Sequence, residues 1–349
     1  MPRSKHADYA SIIVAGLVVA IGPLAVAQPA SQASTYRGAC DGSAGVALDQ
    51  DHFAVADDDR NVLRIYRTGQ PNPDPSSPNL DSFLEAPPKK KGGFKEADIE
   101  GAARIGDRIY WLGSHGRDSE GDEEPGRARF FATRVAPSQD GPRLEVVGSG
   151  AYKGLREDLF ADPKLADLKL ADAYAPGKKN GPEPESDNGF NIEGLAATAD
   201  GYLLVGFRNP RPKSQSIIIP IENPADVVEK GSKPVFGKPI LLDLEGRGIR
   251  SIERIADRYV IVAGPHGEAK ESKIKPPFAL FTWSATENDG KPIEVKDLTM
   301  PGDFAPEALF ASQDGSTLTL LSDDGDLNNC KKADESQKTF KALRFSTPK

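Results

Sequence analysis

Cysteine is nearly missing from this chain of 349 residues: there are two, Cys40 and Cys330. No CxxC pair exists, and with it go the zinc and redox motifs built on that spacing. A nucleophile elbow, a Walker loop and a dinucleotide fingerprint are missing too. Asp324-Gly325-Asp326-Leu327-Asn328 has the flavour of a calcium loop but lacks the glutamate an EF-hand needs. Positive charge is outweighed: the formal net charge is −8 and no long basic stripe occurs. That argues against nucleic acid and anionic membrane surfaces as partners. Aromatics are 7% of residues, and apolar runs are short everywhere except near the N-terminus. Glycine (34 residues) and proline (29) are plentiful. Short apolar runs divided by turn formers describe many strands and many turns.

The one long apolar run is Ser11 to Ala27. Arg3 and Lys5 precede it, and Ala25-Val26-Ala27 is a small-residue cleavage signature. Residues 1–27 are expected to be a signal peptide. A retained anchor is the other reading, but Pro23 interrupts a run already near the lower limit for spanning a bilayer. The rest, residues 28–349, reads as one domain, periplasmic or secreted, that does not span a membrane. Loss of Arg3, Lys5 and Asp8 takes the net charge from −8 to −9. Export permits a Cys40–Cys330 disulfide; two buried thiols are the alternative. In the loop-entropy model, closing so long a ring contributes on the order of 4–5 kcal/mol.

A phrase recurs: Asp98-Ile99-Glu100-Gly101-Ala102-Ala103-Arg104 and Asn191-Ile192-Glu193-Gly194-Leu195-Ala196-Ala197. Each copy leads through a turn at Asp107-Arg108 or Asp200-Gly201 into a second apolar run, so each reads as a hairpin. With the turn aspartate as anchor, three more segments fit, at Asp51, Asp257 and Asp314. Third and fourth strand candidates follow most units, such as Arg129–Val135 and Arg143–Val147 in the second. Repeated four-stranded units indicate an all-β fold, a β-propeller of about five blades. The fifth unit lacks a fourth strand, which Thr35-Tyr36-Arg37 could supply by pairing the two ends of the chain. A sixth blade in the irregular stretches stays open, and a stacked β-sandwich is the rival. Insertions are expected near residues 68–93, 117–127 and 151–189. The last contains Leu155–Phe160 and Leu165–Leu170, which suit one or two short helices. The charge runs within these insertions read as solvated loop tips.

Propeller ligands usually sit at the channel mouth. The repeat alignment places Glu100, Glu193, Arg250 and Glu307 at the leading end of the inner strands, with Ser43 or Ala44 in the first unit. Glu253 competes for the fourth position. Where the second strands end stand Asp57 and Asp58, Ser114-His115-Gly116-Arg117, Phe207-Arg208-Asn209, Pro265-His266 and Ser322-Asp323-Asp324. A ring of carboxylates is costly unless something positive occupies it. Three readings are open. A divalent ion, Ca2+ first among candidates, is held by Glu100, Glu193, Glu307, Asp57 and Asp323, with His115 or His266 as acid or base. Alternatively, arginines pair internally with the glutamates. In the third, Arg117, Arg208, Asn209 and Arg250 clamp an anionic or ester substrate.

The runs Asp98–Arg104 through Trp111-Leu112-Gly113-Ser114-His115, Asn191–Ala196 through Gly206-Phe207-Arg208-Asn209-Pro210, and Gly246-Arg247-Gly248-Ile249-Arg250-Ser251-Ile252-Glu253 resemble the bacterial domain-of-unknown-function family 3616. That resemblance covers nearly all of the mature chain. It implies an exported, propeller-like protein and little chemistry, since the family has no settled activity. The Ile-Glu-Gly-Leu phrase is also similar to phytase-like and calcium-dependent phosphoesterase-like propellers, which implies a metal-dependent hydrolase by analogy of fold. Arg250 departs from an all-acidic ring. Two functions follow as expectations: an exported metal-dependent phosphoester or ester hydrolase, or a non-catalytic envelope protein binding a ligand or a protein partner.

Overall fold

A computed structural model describes residues 33–347, apart from 268, 286–290, 297–299, 303, 326–329 and 331–333. The expected signal peptide, residues 1–27, lies outside the described residues, as do Asp326, Leu327 and Asn328 of the calcium-loop-like stretch.

The turn aspartates mark the inner hairpins of five antiparallel sheets. After β1 (Ser34–Arg37), blade 1 holds β2 (Ala44–Ala47), β3 (His52–Asp57) and β4 (Arg60–Arg67). Blade 2 holds β5 (Ile99–Ile105), β6 (Arg108–Gly113), β7 (Phe130–Ser138) and β8 (Gly141–Tyr152). Blade 3 holds β9 (Asn191–Ala197), β10 (Leu203–Asn209), β11 (Ser216–Ile221) and β12 (Ile240–Leu242). Blade 4 holds β13 (Gly248–Ile255), β14 (Arg258–Gly264), β15 (Ala279–Trp283) and β16 (Ile293–Glu294). Blade 5 holds β17 (Pro306–Ala311), β18 (Thr317–Ser322) and β19 (Thr339–Ser346), with β1 as its outer strand. The inner strands touch in the order β2, β5, β9, β13, β17 and back to β2, so the ring is closed. Among the described residues there is no sixth sheet. Blade 1 has three strands, not four; an isolated bridge, Val62 to Asn79, accompanies β4.

Each blade is packed on both faces, so its central strands read as continuous apolar runs and β10 is buried throughout. Five apolar clusters form the core, chiefly at the blade-to-blade seams. At the closing seam Tyr36 of β1 meets Phe53, Tyr66 and Phe340 at ring-centroid distances of 5.2, 5.3 and 5.6 Å. Rings in edge-to-face contact there add about 0.5–1.5 kcal/mol per pair beyond area burial. The disulfide between Cys40 and Cys330 lies just past β1, with Cα atoms 5.7 Å apart.

Helices are few. The third insertion forms α1 (Leu155–Ala161), a 3-10 turn at Pro163–Leu168 and α2 (Leu170–Tyr174), so the second expected helix is shifted towards its C-terminal end. A further helix, α3 (Pro224–Lys230), is unanticipated. Pro224 starts it, and Gly231 ends it at φ 65°, a left-handed cap that glycine adopts without strain.

Replacing both cysteines with serine is expected to remove up to about 5 kcal/mol of unfolding free energy, since the link spans 290 residues. Denaturant unfolding of wild type with and without reductant, beside the double variant, measures it. Identical midpoints would contradict it.

Candidate functional site

The recurring phrase is a β-bulge. In β5 the register passes from Ile99 to Gly101, leaving Glu100 as the extra residue. The same skip leaves out Glu193 in β9, Arg250 in β13 and Glu307 in β17. Blade 1 pairs regularly from Ala44 onward. A bulge re-aims one side chain out of the ladder. Here it gives four blades a polar residue at the same register. It also decides the fourth position for Arg250; Glu253 lies towards the far end of the strand. The glycine after Glu100 and after Glu193 permits close blade packing: a Cβ on Gly101 would stand 2.8 Å from Leu195 Cβ, and one on Gly194 2.8 Å from Ile249 Cγ2.

These residues do not form a uniform acidic ring. Arg250 bridges two blades, its Nε lying 3.1 Å from Glu193 Oε2 and its Nη2 in contact with Glu307. Arg208 Nη1 donates to Glu193 Oε1 at 3.0 Å, and Asn191 Nδ2 donates to the same oxygen at 2.7 Å. Arg208 also donates to the carbonyls of Pro265 and Gly267 at 3.1 and 3.3 Å. All four members, Glu193, Arg208, Arg250 and Glu307, are buried. The internal salt-bridge reading therefore describes this half of the mouth.

The other half differs. Asp41, Asp58, Glu100 and Asp323 have no cationic side chain within ion-pair distance among the described residues. Burial raises the Glu100 carboxyl well above its ordinary value, with Glu193, Asp98 and Asp58 adding to the effect and Arg250 opposing it. Asp41 is raised by burial, then by Asp323, Asp58 and Glu100, against Arg250. Asp58 is raised by burial and then by Asp98, Asp59, Asp57 and Asp323. Asp41 Oδ1 and Glu100 Oε2 are buried with no hydrogen-bond partner. Asp41 and Asp323 form an isolated backbone bridge, which brings the chain after β1 against the end of β18. A cavity of about 450 Å3 opens here, lined by Asp41, Asp58 and Asp323 with Arg208 and Arg250. A larger cavity, about 920 Å3, lies along blade 4 beside Ala279, Leu280 and Glu294 and includes none of these carboxylates.

The remaining sequence candidates are placed elsewhere. Asp57 is ion-paired with Arg64, and burial lifts its pKa to about 6. His115 is fully buried; burial, then Arg156 and Arg129, push it down to about 3, so it stays neutral. Arg117 is spent within the second and third insertions, donating to the carbonyls of Tyr174, Gly121 and Ala175 at 2.6, 2.8 and 2.5 Å. Asn209 is fully buried and donates to Pro184 O at 2.9 Å. His266 is partly exposed, its Nδ1 3.3 Å from Glu185 O. No group of three or more His, Cys, Asp or Glu among the described residues has the arrangement of a ready-made metal site. Asp41 escaped the sequence reading because it precedes the first repeat; its proximity to Cys40 was the available signal. Asp98 stands one residue ahead of the repeated isoleucine and pairs with Arg127 at 3.0 Å.

Residues 145–301 match the model of a protein family of unknown function, DUF3616. The match takes in blades 3 and 4 and the bulge residues Glu193 and Arg250. Among solved structures the chain is similar to the glutaminyl cyclase of Myxococcus xanthus, at 12% identity over 90% of this chain and 96% of that one, TM-score 0.42. It is similar to an oxidoreductase (glucose dehydrogenase) of Thermus thermophilus, at 13% identity over 90% and 100%, TM-score 0.42. An engineered GH43 glycoside hydrolase matches at 12% identity over 84% of this chain and 50% of that one, TM-score 0.42. At these scores the three establish nothing about the chemistry of this chain. No curated protein matches.

Glu100 titrates above its ordinary value of 4.5 in the folded chain. A raised carboxyl contributes stability that is complete below the unfolded pKa and is lost as pH rises through the folded one. Glu100→Gln is therefore expected to gain stability relative to wild type as pH climbs from 5 to 8 in chelator. His115, shifted in the opposite direction, cancels when both proteins are compared at each pH. Urea unfolding at several pH values measures this; a constant difference would contradict it.

Proposed function

We propose that this is an exported binding propeller that takes a divalent cation, Ca2+ in the first instance, on the acidic half of its channel mouth. The observation that carries this reading is the pair of buried, unpartnered carboxylate oxygens, Asp41 Oδ1 and Glu100 Oε2, within a group of four carboxylates lacking a cation. Carboxylate oxygens are the ligands a hard cation prefers, and Ca2+ tolerates irregular geometry with water completing its shell. Asp41, Asp58, Glu100 and Asp323 would hold it; Glu193 and Glu307 are committed to arginine. The expected Asp57 is committed likewise. Export agrees with the disulfide, which persists in oxidising compartments, and among the described residues no helix is long and apolar enough to cross a membrane.

Hydrolysis of an ester or phosphoester is the second reading. What favours it is that Arg208 and Arg250 line the same cavity as the carboxylates, so an anionic group could lie against them. A bound ion would supply polarisation of a substrate oxygen. His266 on the rim is the accessible histidine for proton transfer; buried, neutral His115 does not suit that role.

Ca2+ added to chelator-treated protein is expected to raise the melting temperature by about 3–8 °C at saturation, and Asp41→Asn with Glu100→Gln to abolish the rise. Metal analysis of the purified protein accompanies it. Absence of a shift in wild type would overturn the cation reading. Metal-dependent turnover of a p-nitrophenyl phosphate or ester would decide for the enzyme, and binding without turnover for the alternative.

A further inference from the structure

The channel has a second mouth, where the inner strands end. Its cavity is about 610 Å3 and is lined from all five blades: Val46, Arg104, Ala197, Glu253 and Phe310 each come from a different one. That volume is in the range of small-molecule pockets, which pair apolar walls with a few fixed polar groups. Ile255 adds to the apolar wall. The polar groups are unequal. Arg104 is fastened to the ring, donating to the carbonyls of Gly106, Ala47 and Leu48 at 2.9, 3.0 and 2.8 Å. Arg254 donates to Ala256 O at 2.7 Å. Asp314 accepts from the hydroxyls of Ser312 and Ser316, each at 2.7 Å, and its pKa falls to about 2.

Glu253 alone is left over. Among the described residues its side chain makes no hydrogen bond and no ion pair. Arg254 follows it in β13 and lines the same pocket, but its guanidinium is turned to Ala256 O and makes no ion pair with Glu253. We propose that this second mouth is a binding site for a small organic amine, with the ammonium on the Glu253 carboxylate and the apolar body against Phe310 and Ile255. A desolvated carboxylate in an apolar pocket gains most from a ligand that brings both a positive charge and hydrogen-bond donors. Burial lifts the Glu253 carboxyl to about 8 against the opposing pull of Arg254, consistent with a charge that lacks its counter-ion. The site shares no residue with the acidic mouth and does not rest on the cation reading.

The test is calorimetric titration of the purified mature protein with benzylamine and tryptamine, with benzyl alcohol and benzoate as neutral and anionic controls. Both amines are expected to bind, and affinity to rise about fivefold between pH 7 and 8 as Glu253 loses its proton in a pocket whose other charged groups are Arg104, Arg254 and Asp314. Glu253→Gln is expected to weaken amine binding by about tenfold or more without lowering its melting temperature and with its response to Ca2+ retained. Equal binding by the Glu253→Gln variant, equal binding of benzyl alcohol, or no binding of either amine to wild type would overturn the site. So would preferential binding of benzoate that tightens as pH falls, since that would assign the pocket to its arginines.

Discussion

Ring closure is the constraint on which the rest of this molecule depends. Five twisted sheets set around an axis bury their faces only if the last meets the first, and an unpaired edge would otherwise remain. The chain closes by laying β1 outside β19, with Ser34 opposite Ala342 and Arg37 opposite Thr339. The Tyr36 ring fills the seam and the Cys40–Cys330 link fastens it. Closure has a chemical consequence. It carries Asp41, the residue after Cys40, to the end of β18 and adds a carboxylate to a mouth that already holds Asp58, Glu100 and Asp323.

The bulges turn a repeated sequence into an unequal site. Each sets one side chain free of the ladder at the same register, so chemistry at the mouth depends on which residue occupies the bulge. An arginine in the fourth blade neutralises the glutamates of the third and fifth, with Arg208 adding a second positive charge. The glutamate of the second blade receives no such partner, and the inner strand of the first blade contributes no bulge. The asymmetry follows from a single departure from the acidic pattern, Arg250. Removing one partner from such a buried network typically costs about 3–5 kcal/mol, because the remaining charge is stranded.

The architecture was legible because it rests on local, repeated signals. Turn aspartates and apolar runs located the hairpins, and a gapless alignment placed Arg250 with Glu100, Glu193 and Glu307 before any register was known. The terminal strand pairing followed from the missing fourth strand of the last blade, and the disulfide from two cysteines near opposite ends of a chain expected to be exported. The site was less legible, because partner choice is decided by side-chain reach across blades. No spacing in the sequence shows that Asp57 turns to Arg64, that Arg117 is held by carbonyls of a distant insertion, or that His115 is fully buried. Helix α3 escaped because a four-strand count leaves a connecting helix unread, although Pro224 and Gly231 bracket it clearly.

The two mouths of the channel thus present different problems of charge: several carboxylates at one, and a solitary glutamate among apolar walls at the other. The first is divided into an arginine-paired half and an open half. Anomalous diffraction from crystals grown with Ca2+ and then exchanged into Sr2+ tests it most directly. A single strong peak is expected among Asp41, Asp58, Glu100 and Asp323, with the arginine contacts of Glu193 and Glu307 retained. A peak between Glu193 and Glu307, or no peak in the mouth, would contradict it.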